Sequence, residues 1–424
     1  MDFSFIHVSD IHLGRPFSDL SKYSYDENVK QVYKTAVEKT FKKIIDFAIL
    51  KNVDFVLIAG DTFDSGEQDF ASKLILKEGL KKLQSMDINV FLICGNHDPV
   101  SSYNKNTFNY DENSSIKIIG LNTPAYADLP LFNKRNEKIG IVHALSFKEE
   151  KFNENPVKYF STVKEEEKNL FNIGLLHCDL NADSSSPYAP CSVTDLKNLN
   201  YNYWALGHIH IPSTNEDIIQ YTGTVQGRNT KETGRHGIRY VKVENNNIIK
   251  NNFVPMEVVR FEDIDCELSS ADDAVSALNL IEEHITKLQG DCEIHLIRLN
   301  LKGSINFFSE INDEFYNVLT EKIKTDFSNR VYISRITNSL LAKVDDDVLK
   351  EDDGITGEIY KTINDDEVIH NAYCLVEDAI KNFMLNCDFM DEEYNSFVRD
   401  VKQQVKEECL NLCSVIYKSE DKEE

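Results

Sequence analysis

The sequence predicts an α/β protein with more than one domain. Short, near-continuous apolar runs alternate with helix-periodic stretches, as in sheets covered on their faces. A chain of 424 residues also exceeds one ordinary core, so two or three domains are expected.

The first strand is "FSFIHVSD". After it, "ENVKQVYKTAVEKTFKKIIDFAIL" sets Val29, Val32, Val37, Phe41, Ile44, Ile45 and Ala48 at helical spacing between lysines. "VDFVLIAGD" is a strand, residues 68–86 a helix, and "INVFLICGN" a strand again. "KIGIVHAL", "FNIGLLHCD", "YWALGH", "DIIQYTG" and "GIRYVKVE" continue the set, and the first domain is placed at residues 1–255. A smaller α/β unit follows at 256–345, with helix "SSADDAVSALNLIEEHITKL", strands "CEIHLIRLNLKG" and "RVYISRIT", and a second helix between them. Residues 346–424 read as the acidic linker "DDDVLKEDDGITG" and a breaker-poor helical segment over 357–418.

Composition narrows the function. No run approaches the eighteen or so apolar residues of a membrane span, and "MDFSFIHVSD" lacks a basic region followed by an apolar one. Nine scattered cysteines without a CxxC pair fit reduced thiols, so a soluble, cytoplasmic protein is expected. No GxxxxGK[ST] loop is present, which excludes ATP hydrolysis by the usual phosphate loop. The net charge of −25 opposes nucleic acid at long range unless basic residues gather on one face, metal ions supply local positive charge, or a partner does the gripping.

Five strands end in the same kind of residue. "HVSDIH" ends with Asp10 and His12, "LIAGDTFD" with Asp61 and Asp64, and "LICGNHD" with Asn96, His97 and Asp98. "GLLHCD" ends with His177, and "ALGHIH" with His208 and His210. A turn needs only Gly and Asn, so His97 and Asp98 are more chemistry than a turn requires. Residues two apart on a strand share a face, which pairs Asp10 with His12 and His208 with His210. Carboxylate, amide oxygen and imidazole together suit two divalent ions such as manganese, zinc or iron, while the lack of thiolates argues against a closed structural zinc site. Two ions need a bridging anion, and Asp61 after its glycine is the candidate.

D-x-H, G-D-x-x-D, G-N-H-D, a lone His and G-H-x-H, in that order, resemble the motifs of calcineurin-like metallophosphoesterases over residues 4–245. The resemblance implies a two-sheet sandwich flanked by helices. It implies that Asp10, His12, Asp61 and His210 hold one ion, and Asp61, Asn96, His177 and His208 the other, with Mn2+ the expected metal. It also implies that His97 faces the substrate phosphate and that Asp98 orients its ring. Asp64 fits either an acceptor behind the bridging aspartate or a turn cap.

This chemistry serves protein phosphatases, nucleotidases, cyclic-nucleotide phosphodiesterases and nucleases alike. "DIHLGRPF" and "YTGTVQGRNTKETGRHGIRYVKVE", with Gln226, Gly227, Arg228, Glu232, Thr233 and Gly234, are similar to the SbcD/YhaO-type DNA repair nucleases, which implies a DNA exonuclease or endonuclease. Arg228, Lys231, Arg235 and Arg239 form a basic cluster, with Arg228 and Arg235 the expected contacts to DNA phosphate. Nucleases of this kind act with an SbcC-like coiled-coil ATPase bound by their C-terminal helices, and commonly dimerise through helices of the catalytic domain. Phe383, Phe389, Phe397, Val401, Val405, Leu410 and Leu412 supply either that docking face or an internal helix pair. The rival readings are a phosphodiesterase or nucleotidase for small phosphoesters, and a non-catalytic scaffold binding DNA or the ATPase. Structural roles are expected for His7 and His143, a loop position for His236, and no part in the site for His284, His295 and His370. Phe17 and Tyr103 fit base stacking and ordinary packing equally.

Overall fold

The structure, a computed structural model, describes residues 2–14, 27–64, 69–104, 106–214, 217–288, 292–343, 350–351, 353–365 and 367–368. The elements run β1 (Asp2–Val8), α1 (Glu27–Lys34), α2 (Ala36–Leu50), β2 (Phe55–Ala59), α3 (Phe70–Gln84), β3 (Asn89–Ile93), β4 (Ile116–Ile118) and β5 (Tyr126–Phe132). They continue with β6 (Lys138–Leu145), β7 (Phe171–His177), α4 (Val193–Lys197), β8 (Tyr203–Gly207), β9 (Ile219–Tyr221), β10 (Gly237–Glu244) and β11 (Asn247–Pro255). The rest are β12 (Val259–Glu267), α5 (Ala274–Thr286), β13 (Ile294–Ile305), α6 (Asp313–Asp326), β14 (Val331–Ala342) and α7 (Ile355–Ile363). Two compact units result: residues 1–262 with 290–296, and residues 263–289 with 297–424.

In the first unit, one sheet has the order β11-β10-β1-β2-β3-β4 and the other β5-β6-β7-β8-β9. β1 to β4 are mutually parallel, as are β6 to β9. Strand alternation turns Phe3 and Phe5, Phe55 and Leu57, and Phe91 and Ile93 into one shared core with Ile173, Leu175 and Tyr203 of the other sheet. Phe5 stacks on Phe55 at 4.8 Å and meets Tyr203 edge-on at 5.3 Å. The opposite faces are buried too. Ile58, Leu92, Phe41, Ile44 and Leu80 are buried with α2 and α3 packed together, and Trp204, Leu176, Leu206 and Phe160 form a second cluster. Burial on both faces is why these strands read as unbroken apolar runs.

Where expectation and structure differ, local chemistry supplies the reason. The single helix expected over "ENVKQVYKTAVEKTFKKIIDFAIL" breaks at Thr35, whose hydroxyl donates back to the Gln31 and Val32 carbonyls at 3.1 and 3.3 Å. The sequence reading does not include β4, β5, β11 or β12; β5 and β11 are outer strands of their sheets, one carrying Pro130 and the other three asparagines, so neither alternates cleanly.

The second unit contains the three-stranded sheet β12-β13-β14 with α5 and α6. Its core joins Ile281 and Ile285 to Leu299, Leu301, Leu319 and Ile323. Asp273 caps α5 by accepting the Ser276 N–H at 2.7 Å, and Ser276 Oγ accepts the Asp273 N–H in return.

Among the described residues no helix is long and apolar enough to cross a membrane. Cys94, Cys178, Cys191, Cys266 and Cys292 are buried thiols. The expected docking face from Phe383 to Leu412 lies outside the described residues, as do His370 and Phe17.

Candidate metal centre

The five strand ends meet at one place, beyond the C-terminal edges of the parallel strands, where α/β folds assemble their sites. Asp10 and His12 follow β1, Asp61 follows β2, Asn96 follows β3, His177 closes β7, and His208 and His210 follow β8. Side-chain atoms of Asp10, His12 and His210 lie within 4.8 Å of one another, and so do those of Asp10, Asp61 and His177. Asn96 Oδ1 is 2.9 Å from His177 Nε2 and 3.1 Å from His208 Nδ1. Asp61 Oδ2 stands between the two groups, 3.9 Å from His12 Nε2 and 3.5 Å from His177 Nε2. That position suits a shared ligand.

Four of the seven side chains sit on left-handed backbone: Asp10 (φ 51°), His12 (51°), Asp61 (49°) and His208 (103°). Such strain costs about 1 kcal/mol or more per residue and persists where surrounding structure enforces it. The glycines act in two ways. Gly60 (φ 87°) turns the chain, and a Cβ there would come within 2.6 Å of His177 Nδ1. Gly95 does not need positive φ; it gives clearance, since a Cβ would collide with the Asp61 carboxylate.

Electrostatics favour cations here. His12 Nε2 and Asp61 Oδ2 are buried without a hydrogen-bond partner, a costly state unless something else is bound. Burial pushes Asp61 well above the usual carboxylate range, and the neighbouring Asp10 and Asp98 push it further. Burial also depresses His12 to about 3 and His208 to about 4, and lowers His177. Asp10 is lifted by burial, but His177, His210 and His12 outweigh that and hold it below its ordinary value. Neutral imidazoles beside crowded carboxylates are the donor set that divalent ions require. The residues present therefore fit a pair of such ions.

Asp98 departs from the role expected of it. Its Oδ1 accepts the N–H groups of Asp61 (3.1 Å) and Gly95 (2.8 Å); its Oδ2 accepts those of Thr62 (2.8 Å) and Phe63 (3.2 Å) and the Tyr103 hydroxyl (2.8 Å). Asp98 is thus a pin that locks the β2 and β3 turns together, and Tyr103 belongs to that pin. The acid beside His97 is Asp64, whose Oδ1 lies 3.5 Å from His97 Nδ1 and 3.2 Å from His12 Nδ1. Sequence adjacency misled because Asp98 points back under the turn while Asp64 arrives from another loop. Asp98→Ala should cost on the order of 3–5 kcal/mol, since four amide N–H groups and a phenol lose their acceptor. Urea unfolding of the metal-free protein checks this; a loss below 1 kcal/mol would contradict the pin.

The basic cluster also divides. Arg235 and Lys231 are exposed, but Arg239 is buried against Ser213 and Asn251. Arg228 is buried at the site's rim, gripping Glu232 through Nε (3.4 Å) and Nη2 (3.1 Å), with Nη1 3.9 Å from Asp64. Glu232, seen in the sequence only as part of a motif, reaches His210 Nδ1 at 3.0 Å. Burial lifts Glu232, but hydrogen bonds from His210 and Arg228 prevail and hold it well below the ordinary range. Gln226 is structural: its Oε1 accepts the Val258 and Val259 N–H groups at 2.8 and 3.1 Å.

Other histidines lie apart from the cage. His7 bonds Tyr203 and the Leu206 carbonyl, His143 bonds Asp128 and Asn172, and His236 is buried against the Thr224 and Glu232 carbonyls. His97, in contrast, has 29% of its side chain exposed and borders a cleft lined by Pro99, Ser101, Ser102, Glu149 and Lys151.

Residues 3–212 match the family model described as calcineurin-like phosphoesterase. The "uncharacterized metallophosphoesterase YhaO" of Bacillus subtilis is 29% identical over 307 residues, 72% of this chain and 72% of that protein. The "DNA double-strand break repair protein Mre11" of Methanocaldococcus jannaschii is 24% identical over 228 residues, 52% of this chain and 56% of its own length. Its namesake in Methanococcus maripaludis is 29% identical over 213 residues, 49% of this chain and 51% of its own length. The match thus spans about half the length of the two archaeal relatives.

Proposed function

We propose, from the premise that residues 3–212 belong to the calcineurin-like phosphoesterase family, that this chain is a two-metal DNA nuclease of the SbcD/YhaO kind, an exonuclease in repair or processing. The observation that carries the hydrolytic part is the buried, unpartnered pair His12 Nε2 and Asp61 Oδ2 inside a cage of seven ligand-type side chains. The nucleic-acid part rests on the similarity to the two proteins named for DNA double-strand break repair and on the segment that follows "GHIH".

In this reading Asp10, His12, Asp61 and His210 hold one ion, and Asp61, Asn96, His177 and His208 the other. Bound Mn2+ ions would supply a hydroxide for in-line attack and neutralise charge on the phosphate. His97 protonates the leaving oxygen, with Asp64 behind its ring. Arg228 Nη1, buried and without a hydrogen-bond partner, meets an oxygen of the scissile phosphate. Arg235, on the surface, takes a phosphate further along the strand. Residues 1–255 form the catalytic domain, 256–345 a cap, and residues 346–424 dock on an SbcC-like ATPase. A partner that grips DNA reconciles a net charge of −25 with this substrate.

The test compares 3′-labelled duplex DNA with bis-p-nitrophenyl phosphate in Mn2+, with and without the ATPase partner. Cleavage of both is expected. Hydrolysis of the small ester alone, under both conditions, would transfer the reading to a phosphodiesterase for small substrates.

A further inference from the structure

We infer that Glu232 is a positioning residue of the metal centre: it holds the His210 ring with Nδ1 protonated, which turns a free Nε2 lone pair toward the ion. The inference rests on the two-metal reading above and deepens it.

Two groups contact His210 Nδ1 at the same distance: Glu232 Oε1 at 3.0 Å and Arg228 Nη2 at 3.0 Å. They demand opposite tautomers. A guanidinium has no acceptor, so a bond from Arg228 would need Nδ1 unprotonated and would place the proton on Nε2, where it blocks coordination. A bond to Glu232 places the proton on Nδ1 and frees Nε2. Arg228 resolves the conflict by its other contacts. Its Nη2 also donates to Glu232 Oε1 at 3.1 Å, its backbone N–H donates to Oε2 at 2.7 Å, and its Nε lies 3.4 Å from that oxygen. The arginine therefore serves the carboxylate, and the carboxylate serves the imidazole.

Neighbouring rings follow the same plan with different acceptors. His12 Nδ1 is backed by Asp64 Oδ1 at 3.2 Å, and His177 Nδ1 by the Ala59 carbonyl at 2.9 Å. In both, Nε2 is the atom left facing Asp61, at 3.9 and 3.5 Å. Three rings thus have an acceptor behind Nδ1, and Glu232 is the one supplied for His210. Only 15% of the Glu232 side chain and 7% of the Arg228 side chain are exposed, so water cannot easily substitute for either. An acceptor behind a ligating imidazole fixes its orientation and raises its basicity, and its loss typically weakens metal binding 10- to 100-fold.

Calorimetric titration of the metal-free full chain with Mn2+ tests this, using Glu232→Ala and the isosteric Glu232→Gln, with circular dichroism melts as the fold control. Wild type is expected to take two ions. Glu232→Ala should bind one of them roughly 10- to 100-fold more weakly and leave the other unchanged. Glu232→Gln, which keeps the shape without the charge, should fall between. On bis-p-nitrophenyl phosphate, the Mn2+ needed for half-maximal rate should rise in step, with kcat recovering at high Mn2+. If Glu232 only staples its loop, both variants will melt earlier while binding both ions at wild-type affinity, and that result overturns the inference alone. Wild-type protein that binds fewer than two ions overturns the two-metal reading itself, and this inference with it.

Discussion

His97→Ala is expected to lower kcat by roughly 10²- to 10⁴-fold while both Mn2+ ions stay bound. The cage does not depend on this side chain. The His97 contact to Asp61 is made by its backbone N–H, at 2.9 Å, and alanine keeps it. The ring instead lies 5.0 Å from that of His12 by centroid, partly exposed, where a phosphate between the ions and the cleft would meet it. Substrate choice sharpens the expectation. p-Nitrophenolate leaves readily without a proton, whereas a sugar alkoxide does not, so the loss should be larger on DNA than on bis-p-nitrophenyl phosphate. Steady-state rates on both substrates, with a parallel Mn2+ titration, make the measurement. Unchanged kcat in a variant that binds two ions would remove His97 from the reaction, and loss of an ion would make it a ligand.

Asp61→Asn should have two opposite effects on stability, depending on metal. Without metal the variant should be more stable than wild type at pH 8. The Asp61 pKa is raised in the folded state, by burial first and then by Asp10 and Asp98, so its ionised form opposes folding above the unfolded value near 4. Acidification relieves that penalty in wild type, and an amide removes it at every pH. Each kcal/mol recovered should raise Tm by roughly 2–4 °C for a domain of this size. The substitution keeps the acceptor for the His97 N–H, since Asn Oδ1 replaces Asp Oδ1. With Mn2+ at 100 times its Kd, wild type gains about 2.7 kcal/mol per bound ion, and a variant lacking the shared anion should gain little. The order of melting should therefore reverse between EDTA and Mn2+. A variant that melts below wild type in EDTA, or that Mn2+ stabilises as strongly as wild type, would refute the shared role.

Stability below pH 6.5 will also carry an opposing contribution from the histidines. His12 and His208 titrate near 3 and 4 when folded, so the unfolded chain takes up their protons first and acid destabilises through them. The difference between wild type and Asp61→Asn cancels this contribution, which is why the comparison is made between variants.

Part of the centre is legible in the sequence. The strand ends were legible because each follows an apolar run, and a buried strand that stops at Asp, His or Asn exposes chemistry at the same edge of its sheet. The outer strands β5 and β11 were not legible, because one face of an edge tolerates proline and asparagine. The break at Thr35 was hidden because its cause is a hydroxyl choosing a backbone carbonyl, which composition does not reveal.

Taken alone, the sequence determined the α/β class and the strand ends that carry Asp, His and Asn, since strand periodicity is a local property of the chain, while the two-sheet sandwich and the choice of seven ligand-type side chains followed from the order of motifs that resembles a known family. Tertiary structure alone decided which acceptor stands behind each ring: Asp64 for His12 across 52 residues, Ala59 for His177 across 118, and Glu232 for His210 across 22. It also turned Asp98 from an expected ring-orienting acid into the lock of two turns. The reason is that a hydrogen bond depends on direction and on distances of a few tenths of an ångström, and only the packed chain sets those between residues so far apart in sequence.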